Sequence, residues 1–309
     1  MKCLIFGGGG FIGSAIVDRL LADGHELRVF ERPEVIPFRG FAGGESVEWR
    51  TGEMHNITHL EEALAGVEVV LHLVSTTLPK DSNEDPIYDV QSNVVTSLQL
   101  LNAMVRARVR RILFISSGGT VYGRPQITPI SEDHPTHPLT SYGITKLAIE
   151  KYLFLYRELH GLQPTVLRVA NPYGERQRVE RAQGAVAAFL HRALSNQPVE
   201  IWGDGSVKRD YVHVSDVAAA FSSAIGYEGP EMVFNVGSGA ATSLTEVVQL
   251  IEQTLGRPVA RRHLPGRDFD LPVSVLDISR AERCLGWRPT VAFADGLRRT
   301  VDWLQTPRA

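Results

Sequence analysis

The 309-residue sequence holds only two cysteines, Cys3 and Cys284, too few for a disulfide framework. Cys3 falls inside an apolar strand pattern, where it reads as a small buried hydrophobe suited to a reducing compartment. No apolar run approaches the roughly 18 residues needed to span a bilayer. The chain opens on strand-like KCLIF without a basic-then-apolar leader, so a cytoplasmic protein without membrane insertion is expected. An excess of one charge is also missing. The formal net charge of -3 offers no global attraction to nucleic acid or anionic membrane. The one basic run, RARVRR at 106–111, follows a helical pattern and complements that helix's negative end. Nucleic acid is therefore not an expected partner, and any substrate phosphate must be held by local arginines. There is no internal repeat, low-complexity tract or flexible linker. The pairs His55/His59 and His134/His137 lack a third ligand, so no metal site is expected.

What is present in the first half is alternation. Short β-rich runs near 2–6, 26–30, 68–73, 111–115 and 164–169 are separated by helical periodicity, which predicts an α/β fold with a parallel sheet and helices on both faces. In DPIYDVQSNVVTSLQLLNAMV, Asp85 can cap and Pro86 suits the first helical position. Ile87, Val90, Val94, Leu98, Leu101 and Val105 then recur at helical spacing, so one long amphipathic helix is expected. After about residue 170 the alternation lapses. This predicts a Rossmann-type doubly wound sheet over 1–171, rejoined by 206–237, with a smaller discontinuous C-terminal lobe built from 172–205 and 238–309.

The run FGGGGFIGSAIVDRLLADG places Gly7, Gly10 and Gly13 between a strand and a helix that Gly24 can terminate. Glycines there let a backbone approach a pyrophosphate, and the helix N-terminus offers free N–H groups to it. Glu31 ends the following strand, about 18 residues beyond Gly13, where a carboxylate accepts hydrogen bonds from a ribose. It repels a 2′-phosphate and favours NAD, although the adjacent Arg32 could neutralise that phosphate and admit NADP. In LTSYGITKLAIEKY, Tyr142 and Lys146 lie one helical turn apart on one face. A nearby ammonium and an oxidised nicotinamide both favour the phenolate, which can then carry an alcohol proton.

Taken in order, GGGGFIG, HLVS, Asn93, SSGGTVYG, SYGITK, LRVANPYGERQ, GDGSVKRDYVHVSDVA, FNVGSG and LGWRP span nearly the whole chain. They make the sequence similar to the extended short-chain dehydrogenase/reductase family, particularly its nucleotide-sugar 4-epimerases. The resemblance implies NAD as cofactor, held by Gly7, Gly10, Phe11, Ile12, Glu31 and Arg32, with Glu53 and Met54 at the adenine. Leu73, Asn93, Tyr142, Lys146 and Ala170 would line the rest of it. Glu53 stands where many members have aspartate. For the substrate, a nucleotide sugar, the resemblance implies Asn171 at the sugar, Arg209 and Arg267 on the diphosphate, Asp270 on the ribose, and Trp202 either at the uracil or in the core. Ser274 aligns with a gatekeeper that is a bulky tyrosine in epimerases restricted to UDP-glucose and UDP-galactose, so a small residue there would admit a 2-acetamido group.

The family pattern also places a sugar-orienting serine or threonine four residues before the strand-end tyrosine. Here that position is Gly118, so the role passes to Ser117 or Thr120, with Tyr142 as proton carrier. Related dehydratases and a related decarboxylase place carboxylates where this chain has Gly119 and Thr120. The implied reaction is oxidation at C4 to a bound keto sugar, followed by reduction on the opposite face. A 4-ketoreductase is the nearest alternative. The family's four-helix seam implies a homodimer through the helices beginning near Pro86 and Tyr142.

Overall fold

Strand β1 (Lys2–Phe6) is buried from its second residue onward, as a strand covered on both faces must be, and this is why it reads as an unbroken apolar run. A computed structural model describes residues 1–41, 44–79, 81–177, 184–266 and 271–306. The chain continues through α1 (Phe11–Ala22), β2 (Glu26–Glu31), β3 (Val47–Thr51), α2 (Ile57–Leu64), β4 (Val69–His72) and α3 (Pro86–Asp89). A π-helical stretch, Val90–Val95, leads into α4 (Thr96–Ala107), β5 (Arg111–Ser117), α5 (Ser141–His160), β6 (Gln163–Val169) and β7 (Asn171–Tyr173). Then follow α6 (Ala185–Leu194), β8 (Val199–Trp202), β9 (Lys208–Arg209), β10 (Tyr211–His213), α7 (Val214–Ala224) and β11 (Val233–Val236). The remainder is β12 (Thr242–Ser243), α8 (Leu244–Leu255), β13 (Arg261–Leu264), β14 (Val273–Ser274), α9 (Ser279–Leu285) and α10 (Phe293–Gln305).

Seven parallel strands form the main sheet in the order β11-β6-β5-β4-β1-β2-β3. The direction of winding reverses between β1 and β4, and in open α/β sheets ligands bind at the carboxyl ends of the strands beside such a switch point. On one face Ile16, Val17 and Leu20 of α1 pack with Val217 and Phe221 of α7. On the other, Leu60, Leu100, Met104, Ile149 and Leu153 bring α2, α4 and α5 onto the sheet.

Two expectations change. Strand β3 was not foreseen because VEWRT lies at the sheet edge with half-buried or exposed residues, so it carries no apolar run to announce it. The helix predicted from Pro86 does start there, with the Tyr88 amide donating to the Asp85 cap at 2.9 Å, but it is not one regular helix. Over the π-helical stretch and just beyond, the hydroxyls of Ser92, Thr96 and Ser97 donate back to the carbonyls of Tyr88, Ser92 and Asn93 at 2.6, 2.7 and 2.6 Å. Such back-bonding competes with the regular ladder, and π-helical turns often mark functional sites.

Two arginines of the basic run make structural contacts: Arg106 pairs with Glu61, and Arg111 reaches the Ile225 carbonyl and Glu228. Cys3 is fully buried, which pushes its thiol up to about 11. Helices α6, α8 and α10 surround a separate core that includes Val199, Ile201, Tyr211 and Leu297. Strand β9 pairs there with β12 and β14. Leu276, Ala281 and Trp287 return to the core of the main sheet, so the chain crosses between the two bodies again after β14.

His72, at the end of β4, is buried, and its Nε2 meets Ser97 Oγ at 2.8 Å. Since Ser97 gives its proton to the Asn93 carbonyl, Nε2 carries the imidazole hydrogen and Nδ1 has no partner. Burial, with Lys146 nearby, pushes the ring down to about 3. The folded state thus refuses a proton that the unfolded chain accepts below about 6.5. Stability is therefore lost as pH falls from about 6.5 toward 3. Between pH 6.5 and 5 this group should cost about 2 kcal/mol. Urea unfolding of wild type and His72→Gln at the two pH values measures it, and equal acid sensitivity in the two proteins would refute the assignment.

Candidate active site

The glycine turn follows β1, Glu31 ends β2, Leu73 follows β4, Ser117 ends β5 and Ala170 follows β6. The parallel sheet therefore gathers these sequence-distant residues along its carboxyl edge. A Cβ on Gly13 would collide with the Gly7 carbonyl oxygen, so the turn closes only with glycine. Helix α1 starts at Gly10 with no capping side chain and no acid in its first turn, where Phe11 and Ile12 lie. Its leading N–H groups are thus left for an external anion, the arrangement a pyrophosphate requires.

The Gly9 amide donates to Glu31 Oε1 at 2.7 Å, which fixes the carboxylate beside the turn. Burial raises the Glu31 carboxyl against the opposing pull of that amide and of Arg32. Arg32 itself is exposed and paired with Glu34 at 3.3 Å. Glu53 is half-buried, its amide donating to His59 Nδ1 at 3.1 Å, and Met54 packs against the core beside it. These residues fit a dinucleotide.

Helix α5 presents the chemistry. Thr140 caps it by accepting from the Gly143 amide, and the 82–83 segment supplies further acceptors: Asn83 for the Ser141 amide at 2.8 Å, Ser82 for the Tyr142 amide at 3.0 Å. Tyr142 and Lys146 do share one face, with Nζ 5.6 Å from the phenol ring centre. The buried ammonium donates to the Ile115 carbonyl at 3.0 Å and lies 4.8 Å from the Phe114 ring centre. Burial pushes Lys146 down to about 8, opposed by Glu150 and Asp89. The expected lowering of the tyrosine by its lysine is not seen in the chain alone. Burial, aided by Asp89, pushes Tyr142 up to about 12, because desolvation of a phenolate outweighs an ammonium already committed to a carbonyl.

Of the two candidate hydroxyls, Thr120 Oγ1 is buried without a hydrogen-bond partner, while Ser117 is half-buried at the end of β5. The Thr120 carbonyl lies against Gly143, one residue beyond the tyrosine. Gly118 is closed to any side chain: a Cβ there would lie 2.5 Å from Leu276 Cδ1 and 3.1 Å from the Arg168 carbonyl oxygen. The space that a serine would need is filled by the returning chain. Gly118→Ser should therefore cost about 1–3 kcal/mol by overpacking. Adding Leu276→Ala should make the serine less costly than it is alone, and a double-mutant cycle of unfolding free energies showing no coupling would exclude the clash.

Asn93 is buried, donating to Asp89 Oδ1 at 2.9 Å while its Oδ1 accepts from the Thr76 amide at 3.0 Å. Ala170 is nearly buried, and Asn171 in β7 donates to the Asp210 carbonyl at 2.8 Å. Arg209 donates to the Leu271 carbonyl at 2.6 Å. Ser274 is buried in β14 opposite Arg209, and Trp202 ends β8 partly exposed. Arg267 and Asp270 lie outside the described residues.

Residues 3–237 match the NAD dependent epimerase/dehydratase family. The chain belongs to this family. It is 38% identical to a UDP-glucose 4-epimerase of Mycolicibacterium smegmatis, with 99% of each chain covered. It is 35% identical to a dTDP-4-dehydro-6-deoxyglucose reductase of Escherichia coli over 96% of each. Among solved structures, the UDP-glucose 4-epimerase of Thermotoga maritima with UDP-glucose superposes with a TM-score of 0.93 at 33% identity, covering 99% of each chain.

Within this NAD-dependent epimerase/dehydratase, several residues that hold the site escaped the sequence reading. Asp89, Ser82 and Asn83 belong to no motif. Glu150 had a signal: it continues the Tyr142, Lys146 spacing by another turn on the same face. Asp210 is a second hidden anchor, buried and accepting from Ser238, Gly239 and Leu276 amides at 2.6, 3.3 and 3.2 Å.

Proposed function

We propose that this protein inverts C4 of a UDP-hexose, and of the 2-acetamido pair, as an NAD-dependent nucleotide-sugar 4-epimerase. The observation that carries this reading is the half-buried Tyr142 and buried Lys146 on one face of α5, with Nζ 5.6 Å from the phenol ring centre, at the carboxyl edge that also holds the glycine turn. The chain's own part is proton handling. Tyr142 takes the C4 hydroxyl proton and gives it back, and Lys146 supplies the cation that favours the phenolate. Ser117, half-buried at the end of β5, or Thr120 would orient the sugar oxygen. NAD, when bound, supplies hydride acceptance and return, so no net redox change results. Glu31, the free amides of α1, Glu53 and Met54 would hold it.

For the substrate, Asn171, Arg209 and Trp202 face the work of binding sugar, diphosphate and base, joined by Arg267 and Asp270 in the reading from sequence. The lobe around α6, α8 and α10 would hold the nucleotide. Serine rather than tyrosine at position 274 supports turnover of the N-acetylated pair. No helix is long and apolar enough to cross a membrane among the described residues. A soluble nucleotide sugar and a cytoplasmic setting accord with that. The seam proposed for a homodimer is supported by exposed Ile87, Val95, Ile144, Phe154 and Leu159 on the stretches beginning at Pro86 and Ser141, and sedimentation velocity giving a single-chain mass would remove it.

A nucleotide-sugar panel followed by NMR tests the reaction. UDP-glucose and UDP-GlcNAc should each yield the C4 epimer without consuming added cofactor. The reductase similarity favours one other reading, a 4-ketoreductase, for which stoichiometric NADH or NADPH oxidation with a keto sugar is the expected result.

A further inference from the structure

Asp89 closes α3, opens the π-helical stretch and is fully buried. Its Oδ1 accepts from Thr77 Oγ1 at 2.5 Å and from Asn93 Nδ2 at 2.9 Å, and its Oδ2 from Ser141 Oγ at 2.6 Å. Thr145 Oγ1 lies at 3.4 Å from Oδ2 but closer to the Tyr142 carbonyl, at 2.9 Å. One carboxylate thus joins the loop after β4, the π-helical stretch and the residue immediately before the tyrosine. Thr77, Asn93 and Ser141 all donate to the carboxylate, an arrangement that suits an anion.

A buried anion has two consequences here. Mechanically, it ties the start of α5 to the loop between β4 and α3, so the tyrosine's position depends on both. Electrostatically, it stands near the phenol, together with the other charged and titratable groups that face the Tyr142–Lys146 pair. These are Lys146 and Glu150 on α5, His72 on β4, and Arg168 on β6 behind Glu150. The capping groups Ser82 and Asn83 are neutral. Glu150 is held by Arg168, whose cation offsets it, whereas none of the donors on Asp89 carries charge.

We propose that Asp89 is a positioning residue for the proton transfer: it locks the tyrosine's helix to the cofactor-side loop and places a negative charge beside the phenol. The inference rests on the reading of Tyr142 as proton carrier. It assigns a role to the anion that opposes the phenolate, so that proton removal awaits the positive charge of the oxidised cofactor.

The test compares Asp89→Asn with Ser141→Ala in the holoenzyme. Asparagine removes the charge and keeps most of the shape; Ser141→Ala removes one hydrogen bond and keeps the charge. With the anion gone the phenolate is easier to form. The acid limb of kcat/KM for UDP-glucose should therefore move to lower pH by roughly one unit in Asp89→Asn. Ser141→Ala should lower kcat and leave the limb in place. If Asp89→Asn fails to fold, Asp89→Thr, which retains a hydroxyl for its neighbours, takes its place. An unmoved limb in the charge-removing variant, or an equal shift in Ser141→Ala, overturns the proposal. An ultraviolet titration separates its failure from that of the epimerase reading. The tyrosine absent from Tyr142→Phe should ionise at lower pH in Asp89→Asn whether or not any nucleotide sugar is turned over.

Discussion

Tyr142→Phe should lower epimerisation by about 10²–10⁴-fold, the range that a positioned general acid–base supplies. The substitution removes one oxygen. The ring remains over the lysine at the head of α5, whose caps at Thr140, Ser82 and Asn83 involve only backbone amides and are untouched. The expected result is therefore a fall in kcat with intact thermal stability and retained binding of NAD and UDP-sugar. Isothermal titration beside initial rates would show the split. A variant that binds both ligands and still epimerises within tenfold of wild type would remove Tyr142 from the mechanism.

The second large effect concerns the pair behind Lys146. Glu150 and Arg168 are both buried and joined in a forked contact, with Arg168 Nη2 at 2.6 Å and Nε at 3.1 and 3.2 Å from the two carboxylate oxygens. Ser116 adds a hydroxyl donor to Glu150 at 2.5 Å, and the guanidinium lies 4.8 Å from the Tyr122 ring centre. Glu150→Gln leaves that guanidinium uncompensated in a dry interior and should cost about 3–5 kcal/mol. The melting temperature should drop by roughly 10 °C. Replacing both partners, as in Glu150→Leu with Arg168→Met, should recover much of the loss, since apolar packing can match a buried ion pair. Thermal unfolding of the single and double variants decides the matter, and additive losses would show that the two side chains do not act as a pair.

Both experiments bear on α5, where the sequence was informative and incomplete. The spacing of Tyr142 and Lys146 showed that they share a helical face, because that follows from local geometry alone. Their protonation did not follow. Whether a lysine lowers a neighbouring phenol depends on what else the ammonium touches, and here the Ile115 carbonyl holds it while burial raises the tyrosine. Similarly, the departure at Gly118 was visible as a missing hydroxyl. Its cause, Leu276, lies more than a hundred and fifty residues further along and reaches the strand end only when the chain returns to the main sheet.

By itself the sequence determined the alternation of strands and helices, the glycine turn with its following acid, and the tyrosine–lysine face. Each of these is carried by short local runs of residues, where backbone geometry leaves few choices. Only the tertiary structure decided the edge strand β3, the π-helical stretch, the carboxylate at position 89 with its ring of donors, and the ion pair beneath Lys146. Those features arise where separate segments meet, and the free energy of burying a charge or filling a space belongs to the packed interior, not to any local stretch of chain.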